Sequence, residues 1–120
     1  MGVLNYPLEA YNLVMLFVEL TPFIAFRTAH WTDDELRALQ NHLLENPSAG
    51  DVIRGSSGLR KLRWAASGRG KRGGARVIYY HYVSSERIYL IYGYAKSDQE
   101  DLTFEQIKLL AQLMKDITHG

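Results

Sequence analysis

The 120-residue chain is predicted to fold as one α+β domain, a mainly antiparallel sheet with its helices packed on one side. Three observations carry this expectation. Ala75 to Val83 and Arg87 to Ala95 are runs dominated by Val, Ile, Leu and Tyr, and Ser84-Ser85-Glu86 between them makes an antiparallel hairpin. Thr32 with Glu35 and Thr103 with Gln106 are capping boxes, each followed by apolar residues at helical spacing. With 47% hydrophobic and 22% charged residues, the composition is that of a soluble chain able to bury a single core without metal or disulfide help.

In order along the chain, residues 1–14 read as an N-terminal extension of no assigned role, Met15 being an alternative start, and 15–120 as the single domain. Val14 to Leu20 is apolar and β-branched and stops at Thr21-Pro22, which predicts a strand and then a short helix with Thr21 as N-cap, ending near His30. The next helix opens at Thr32, with Trp31 and Leu36 as a hydrophobic staple and Asp33 and Asp34 at the positive end of the dipole. Leu36, Leu39 and Leu43 form its stripe, and Asn46-Pro47 ends it. Ser48 to Gly58 is loop by composition. Leu59 to Trp64 is a short strand in which Lys61 and Arg63 project to one face and Arg60, Leu62 and Trp64 to the other. Ala66 to Gly74 is a glycine-rich basic loop, the hairpin follows, and Ile107, Leu110, Ala111, Met114 and Ile117 mark the last helix.

Charge is distributed unevenly. Arg54 to Arg76 contains eight of the 14 basic residues and no Asp or Glu, whereas the remainder holds six basic against 13 acidic residues. The chain is therefore expected to be a dipole with one positive face, and a polyanion is the first partner to consider. The absence of cysteine excludes thiol catalysis and cysteine-ligated metal. His30, His42, His81 and His119 have neither i, i+4 spacing nor nearby carboxylates, so neither a metal nor any other cofactor is expected. His81 has strand parity opposite to Arg76 and reads as a packing residue. Gly68 to Gly73 matches G-x-G-x-x-G but precedes a strand instead of following one, and Gly70-Lys71 is not followed by Ser or Thr, so neither nucleotide fingerprint applies. Ser56 and Ser57 have no organised His-Asp partner. No apolar run approaches the length of a membrane span and no basic signal region opens the chain, so a cytoplasmic protein without membrane contact is expected.

Six of the eight tyrosines lie between Tyr79 and Tyr94. Most suit sheet packing, while those beside the cations suit stacking on unpaired bases, Tyr94 being the best placed.

These residues carry a resemblance. Asn46-Pro47 is followed by Gly50-Asp51-Val52-Ile53, then Gly58-Leu59-Arg60-Lys61-Leu62-Arg63, then Gly70 to Tyr80, then Tyr94-Ala95-Lys96 ahead of Asp101-Leu102-Thr103. From Met15 to Ile117 the chain resembles a RelE/HigB-type toxin of a bacterial type II toxin–antitoxin pair, within the RelE/ParE superfamily and closest to the HigB branch. The resemblance implies an mRNA interferase that cuts messages in the ribosomal A site and is neutralised by a cognate antitoxin, of helix-turn-helix HigA-like type in this branch. It implies catalytic roles for Lys61, Arg63, Arg76 and Lys96; the residues themselves add Tyr94 as a catalytic candidate and Arg60, Arg69, Lys71 and Arg72 of the basic window as RNA- or phosphate-binding residues. Ser97 stands where a second basic residue often follows the last strand, and Phe104 is the nearest aromatic to a tyrosine that some relatives carry near the last helix.

RNA supplies its own nucleophile, the 2′-hydroxyl. Arg63 and Arg76 are expected to stabilise the phosphorane, and Lys61, crowded by other cations, to transfer protons with Tyr94. Two other readings stand beside this one: a ParE-like non-catalytic inhibitor of DNA gyrase and an RNA-binding module without chemistry.

Overall fold

The computed structural model describes residues 15–65 and 74–119. Its elements are β1 (Leu16–Glu19), α1 (Thr21–His30), α2 (Asp33–Glu45), β2 (Asp51–Val52), β3 (Arg60–Trp64), β4 (Ala75–Tyr82), β5 (Arg87–Ala95) and α3 (Phe104–His119). The five strands form one sheet in the order β1-β5-β4-β3-β2. Three of its pairings are antiparallel, and β1 lies parallel to β5.

The α+β class and the hairpin are as expected. The placement of the helices is not. α1 and α2 cover one face, where Phe23, Leu39 and Leu43 pack on Leu62, Val77, Tyr79, Ile88 and Leu90. α3 covers the other, where Leu110 and Met114 pack on Leu59, Ile78, Tyr89, Ile91 and Tyr94. The reason lies in the central strands. Ile88, Tyr89, Leu90 and Ile91 are consecutive apolar residues that alternate between the faces, so neither face of β5 tolerates water and each needs a helical cover.

Local chemistry sets the helix ends. Thr32 and Glu35 form the expected box, with the Thr32 N–H donating to Glu35 Oε1 at 2.8 Å and the Glu35 N–H to Thr32 Oγ1 at 3.1 Å. Thr103 and Gln106 repeat it at 2.9 and 3.1 Å. α1 starts one residue earlier than expected, so Leu20 occupies the N-cap position without a side-chain bond and Pro22 falls in the first turn.

A bulge re-aims β5. Ile78 pairs with Tyr92 and Tyr79 with Leu90, which leaves Ile91 unopposed. The extra residue shifts the alternation, so Tyr92 and Tyr94 turn to the α3 face instead of joining Ile88 and Leu90.

Tyr79 anchors the loop that leads into β2. Its buried hydroxyl donates to the Pro47 carbonyl at 2.7 Å and accepts from the Gly50 N–H at 2.8 Å. Burial pushes this phenol's pKa up, so it stays a donor at neutral pH. Gly50 has no room for a side chain, because a Cβ there would meet the Lys61 carbonyl oxygen and the Tyr79 ring at 2.9 Å each. Tyr79→Phe leaves the buried Gly50 N–H without its acceptor and is expected to cost about 1–3 kcal/mol, read as a lower urea midpoint at unchanged m-value.

Candidate active site

The strand register assembles a row of side chains on the α3 side of the sheet. Arg63 on β3 lies directly opposite Arg76 on β4, and Arg76 opposite Tyr94 on β5. Lys61 is two residues back along β3, flanked by Asp51 on β2 and Ile78 on β4. Lys96 follows the end of β5, where its N–H donates to the Gly74 carbonyl at 3.1 Å. Like charges directly opposite across two strands destabilise a sheet, so the Arg63–Arg76 pair is a feature that pairing energetics disfavour and an anionic ligand favours.

Four of the five residues expected to be catalytic meet in one open cleft of about 350 Å³, lined by Lys61, Arg63, Arg76, Lys96, Asp51, Glu100 and Asp101. An adjoining depression of about 360 Å³ shares Asp51, Lys61 and Asp101 and extends past Val52 and Ile53 to Arg54. The trough is not purely positive. Three carboxylates from outside the basic window stand in it, which composition by segment does not reveal.

Asp101 is the most engaged of them. Its Oδ1 accepts from the Lys61 ammonium at 2.9 Å and from the Leu102 N–H at 2.8 Å. Hydrogen bonding to Lys61 comes first, followed by the Leu102 N–H, in holding its carboxyl below the usual range. Lys61 shares the cleft with three other cations, but its direct charged contact is a carboxylate, which the expectation of cation crowding did not include.

The remaining expected residues fall in several places. Tyr94 is 4% exposed and packed within the α3-side core, beside Arg76 and within reach of the Asp101 carboxylate. Burial, followed by the Asp101 carboxylate, pushes its phenol up to about 12, against the opposing pull of Arg76. Arg60 is not brought to the cluster. It projects from the opposite face and donates to the Gly50 carbonyl at 2.6 Å, binding the loop before β2. Arg69, Lys71 and Arg72 lie outside the described residues. His81 pairs with Ile88 on the face away from Arg76, and desolvation, then the charge of Arg60, lowers its pKa. Ser56 is a buried structural hydroxyl that donates to the Ile53 carbonyl at 2.6 Å and accepts from the Leu59 N–H at 3.0 Å. Among the described residues, no group of three or more His, Asp or Glu is arranged to hold a metal ion.

Sequence reasoning assigned no role to Asp51, Glu100 or Asp101. For Glu100 and Asp101 the available signal was the acidic run just after β5; Asp51 is brought in by the pairing of β2 with β3, which sets it opposite Lys61.

Comparison with known proteins bears on the fold and the family. A solved structure of a mutant E. coli toxin RelE in the free state matches with a TM-score of 0.54 at 13% identity, over 83% of this chain and 96% of that one, which is a likeness of fold. Residues 24–119 match the family described as RelE toxin of the RelE/RelB toxin–antitoxin system. Since that match spans most of the chain and contains every described residue of the cationic cleft, the chain belongs to the RelE toxin family.

Proposed function

We propose that this protein is the toxin of a type II toxin–antitoxin pair and acts as a ribosome-dependent mRNA interferase, a metal-independent endoribonuclease that halts translation by cutting mRNA in the A site. The single observation that carries the reading is the opposed Arg63–Arg76 pair at the cleft shared with Lys61 and Lys96. In the reaction the mRNA 2′-oxygen attacks the adjacent phosphorus and the P–O5′ bond breaks. A 2′,3′-cyclic phosphate and a 5′-hydroxyl result. The 2′-hydroxyl proton passes to water, and O5′ receives a proton from the Lys61 ammonium. Arg63 and Arg76 donate to the non-bridging oxygens, whose charge grows in the phosphorane, and Lys96 adds a further cation.

Tyr94, protonated and buried beside Arg76, supports the site. Asp101, with its lowered pKa, is a weak base, so proton removal is the poorly served half of the reaction. Dependence on the ribosome follows, because geometry imposed on the mRNA replaces what a tuned base would supply. The family implies an antitoxin partner. The finer readings, a HigB-branch toxin with a helix-turn-helix HigA-like antitoxin and a cytoplasmic location, rest on the run of residues from Asn46 to Thr103. No helix of the described residues is long and apolar enough to cross a membrane.

The test is single-turnover cleavage of mRNA on programmed ribosomes by the purified chain, with DNA gyrase supercoiling assayed in parallel. Cleavage without gyrase inhibition is expected. Gyrase inhibition without cleavage overturns the reading in favour of a ParE-like toxin, and RNA binding without either activity in favour of a plain binding module. Affinity for programmed ribosomes should also fall with salt. Four cleft cations at about 0.7 released counterions each give a log–log slope of about −3, or roughly a 50-fold loss between 50 and 200 mM salt. A flat salt profile contradicts phosphate contact by the cleft.

A further inference from the structure

We propose that Asp101 is a positioning residue of this site, holding the Lys61 ammonium in the cleft in the orientation that delivers it to the scissile phosphate. The proposal rests on the endoribonuclease reading and adds to it a residue from outside the basic window.

Three independent features of the structure meet at Asp101. First, the carboxylate is itself held. Oδ1 accepts from the Leu102 N–H at 2.8 Å, while the Asp101 carbonyl accepts from Gln99 Nε2 at 2.8 Å. Gln99 also donates at 2.7 Å to Gln106 Oε1, the oxygen that caps α3 through the Thr103 N–H. Leu102, 9% exposed, anchors the segment in the core. The lead-in to α3 is therefore a braced wall of the cleft, not a loosely placed charge.

Second, the bond to Lys61 at 2.9 Å joins that wall to β3 across 40 residues of sequence. The two side chains are 31% and 64% exposed, and an ion pair so open to water contributes little to stability. Its effect is orientational. A lysine stem has four rotatable bonds and an ammonium has three protons; one spent on Asp101 fixes the head and leaves two for phosphate oxygens.

Third, the buried Tyr94 phenol lies within reach of Asp101, whose charge and hydrogen bonding act on it. Tyr94 stays protonated, so the same carboxylate interacts with a neutral phenol as well as with the Lys61 ammonium. Asp101 keeps its negative charge at neutral pH, so this arrangement is present under working conditions.

The experiment uses the full chain and programmed ribosomes, comparing Asp101→Asn, Lys61→Ala, the double variant, and Asp98→Asn as a control that removes an exposed charge of the same loop. Asparagine retains an oxygen for the Leu102 N–H, so thermal stability should hold. Asp101→Asn is expected to lower the single-turnover rate at saturating ribosomes by up to about 100-fold, while the half-saturating ribosome concentration stays near that of the wild type. Asp98→Asn should cleave normally. The double variant should be no slower than Lys61→Ala, because Asp101 acts through Lys61. Asp101→Glu should recover part of the rate. A wild-type or faster rate for Asp101→Asn, or an additive loss in the double variant, overturns the proposal.

A second readout needs no activity. NMR of the Lys61 ammonium in the free protein should find it ordered in the wild type and mobile in Asp101→Asn; unchanged order sinks the proposal. If the wild type does not cleave at all, the endoribonuclease reading falls, and the ammonium signal still decides whether Asp101 holds Lys61.

Discussion

Arg63→Ala and Arg76→Ala are each expected to slow mRNA cleavage on programmed ribosomes by about 10²–10³-fold, the effect of removing one preorganised donor from a developing oxyanion, roughly 3–4 kcal/mol of barrier. The two variants should differ in everything else. Arg63 is exposed, and its removal relieves a like-charge opposition across β3 and β4, so its alanine variant should melt at or above the wild-type temperature. Arg76 is only 7% exposed, so truncation empties space within the fold and should lower the melting temperature as well as the rate. Arg76→Met retains most of the stem volume and separates the two effects: a stable but inactive protein assigns the guanidinium to the chemistry. Arg63→Lys should also be impaired, since an ammonium does not reproduce the two-pronged donation of a guanidinium to a phosphate. Normal cleavage by either alanine variant would remove that arginine from the site.

Phe23→Ala is expected to cost about 3–5 kcal/mol, a large share of the roughly 5–15 kcal/mol that holds a domain of this size together. Phe23 is fully buried at the centre of the α1/α2 face, with Trp31 edge-on to its ring at 5.9 Å, and it packs within the cluster formed with Leu39, Leu43 and Tyr79. The α1 backbone has little freedom to close the resulting cavity. A Cβ at Gly93 on β5 would already stand 2.5 Å from the Phe26 ring, so helix and strand are in tight contact beside it. Calorimetry should record a melting temperature lower by about 10–20 °C. Because Phe23 sits across the sheet from the cleft, the variant should still cleave at temperatures where it remains folded. A loss below about 1 kcal/mol would mean that this face repacks more freely than its burial implies.

Much of the molecule is legible in local chemistry. The capping boxes at Thr32 and Thr103, the helix stop at Asn46-Pro47 and the hairpin around Ser84-Ser85-Glu86 each depend on residues within a few positions of one another, and each forms as the residue types dictate. The shared face of Lys61 and Arg63 follows from the two-residue period of a strand, and the orientation of His81 away from Arg76 follows in the same way. Other features depend on what a strand meets. Strict alternation along β5 would put Tyr94 on the face of Ile88 and Leu90; the unopposed Ile91 moves it to the cationic side, and a bulge is a property of two paired strands, not of one. Arg60 looks equivalent to its neighbours in the basic window, yet it is spent on the Gly50 carbonyl because its side of β3 meets the incoming loop. α3 is amphipathic by its own pattern, but which face of the sheet it covers is decided by the apolar side chains that α1 and α2 leave bare. Asp101 becomes part of the site only when the segment after β5 folds back against β3, 40 residues away in the chain. The sequence by itself determined the longer elements, the caps of α2 and α3 and the identity of the cations, because those rest on short-range preferences, whereas the two-residue β2 within the expected loop 48–58 exists only through its pairing with β3. Tertiary structure alone decided which cations converge, which carboxylate stands among them and which tyrosine lies beside them, because strand register and helix packing are set by contacts that no local preference encodes.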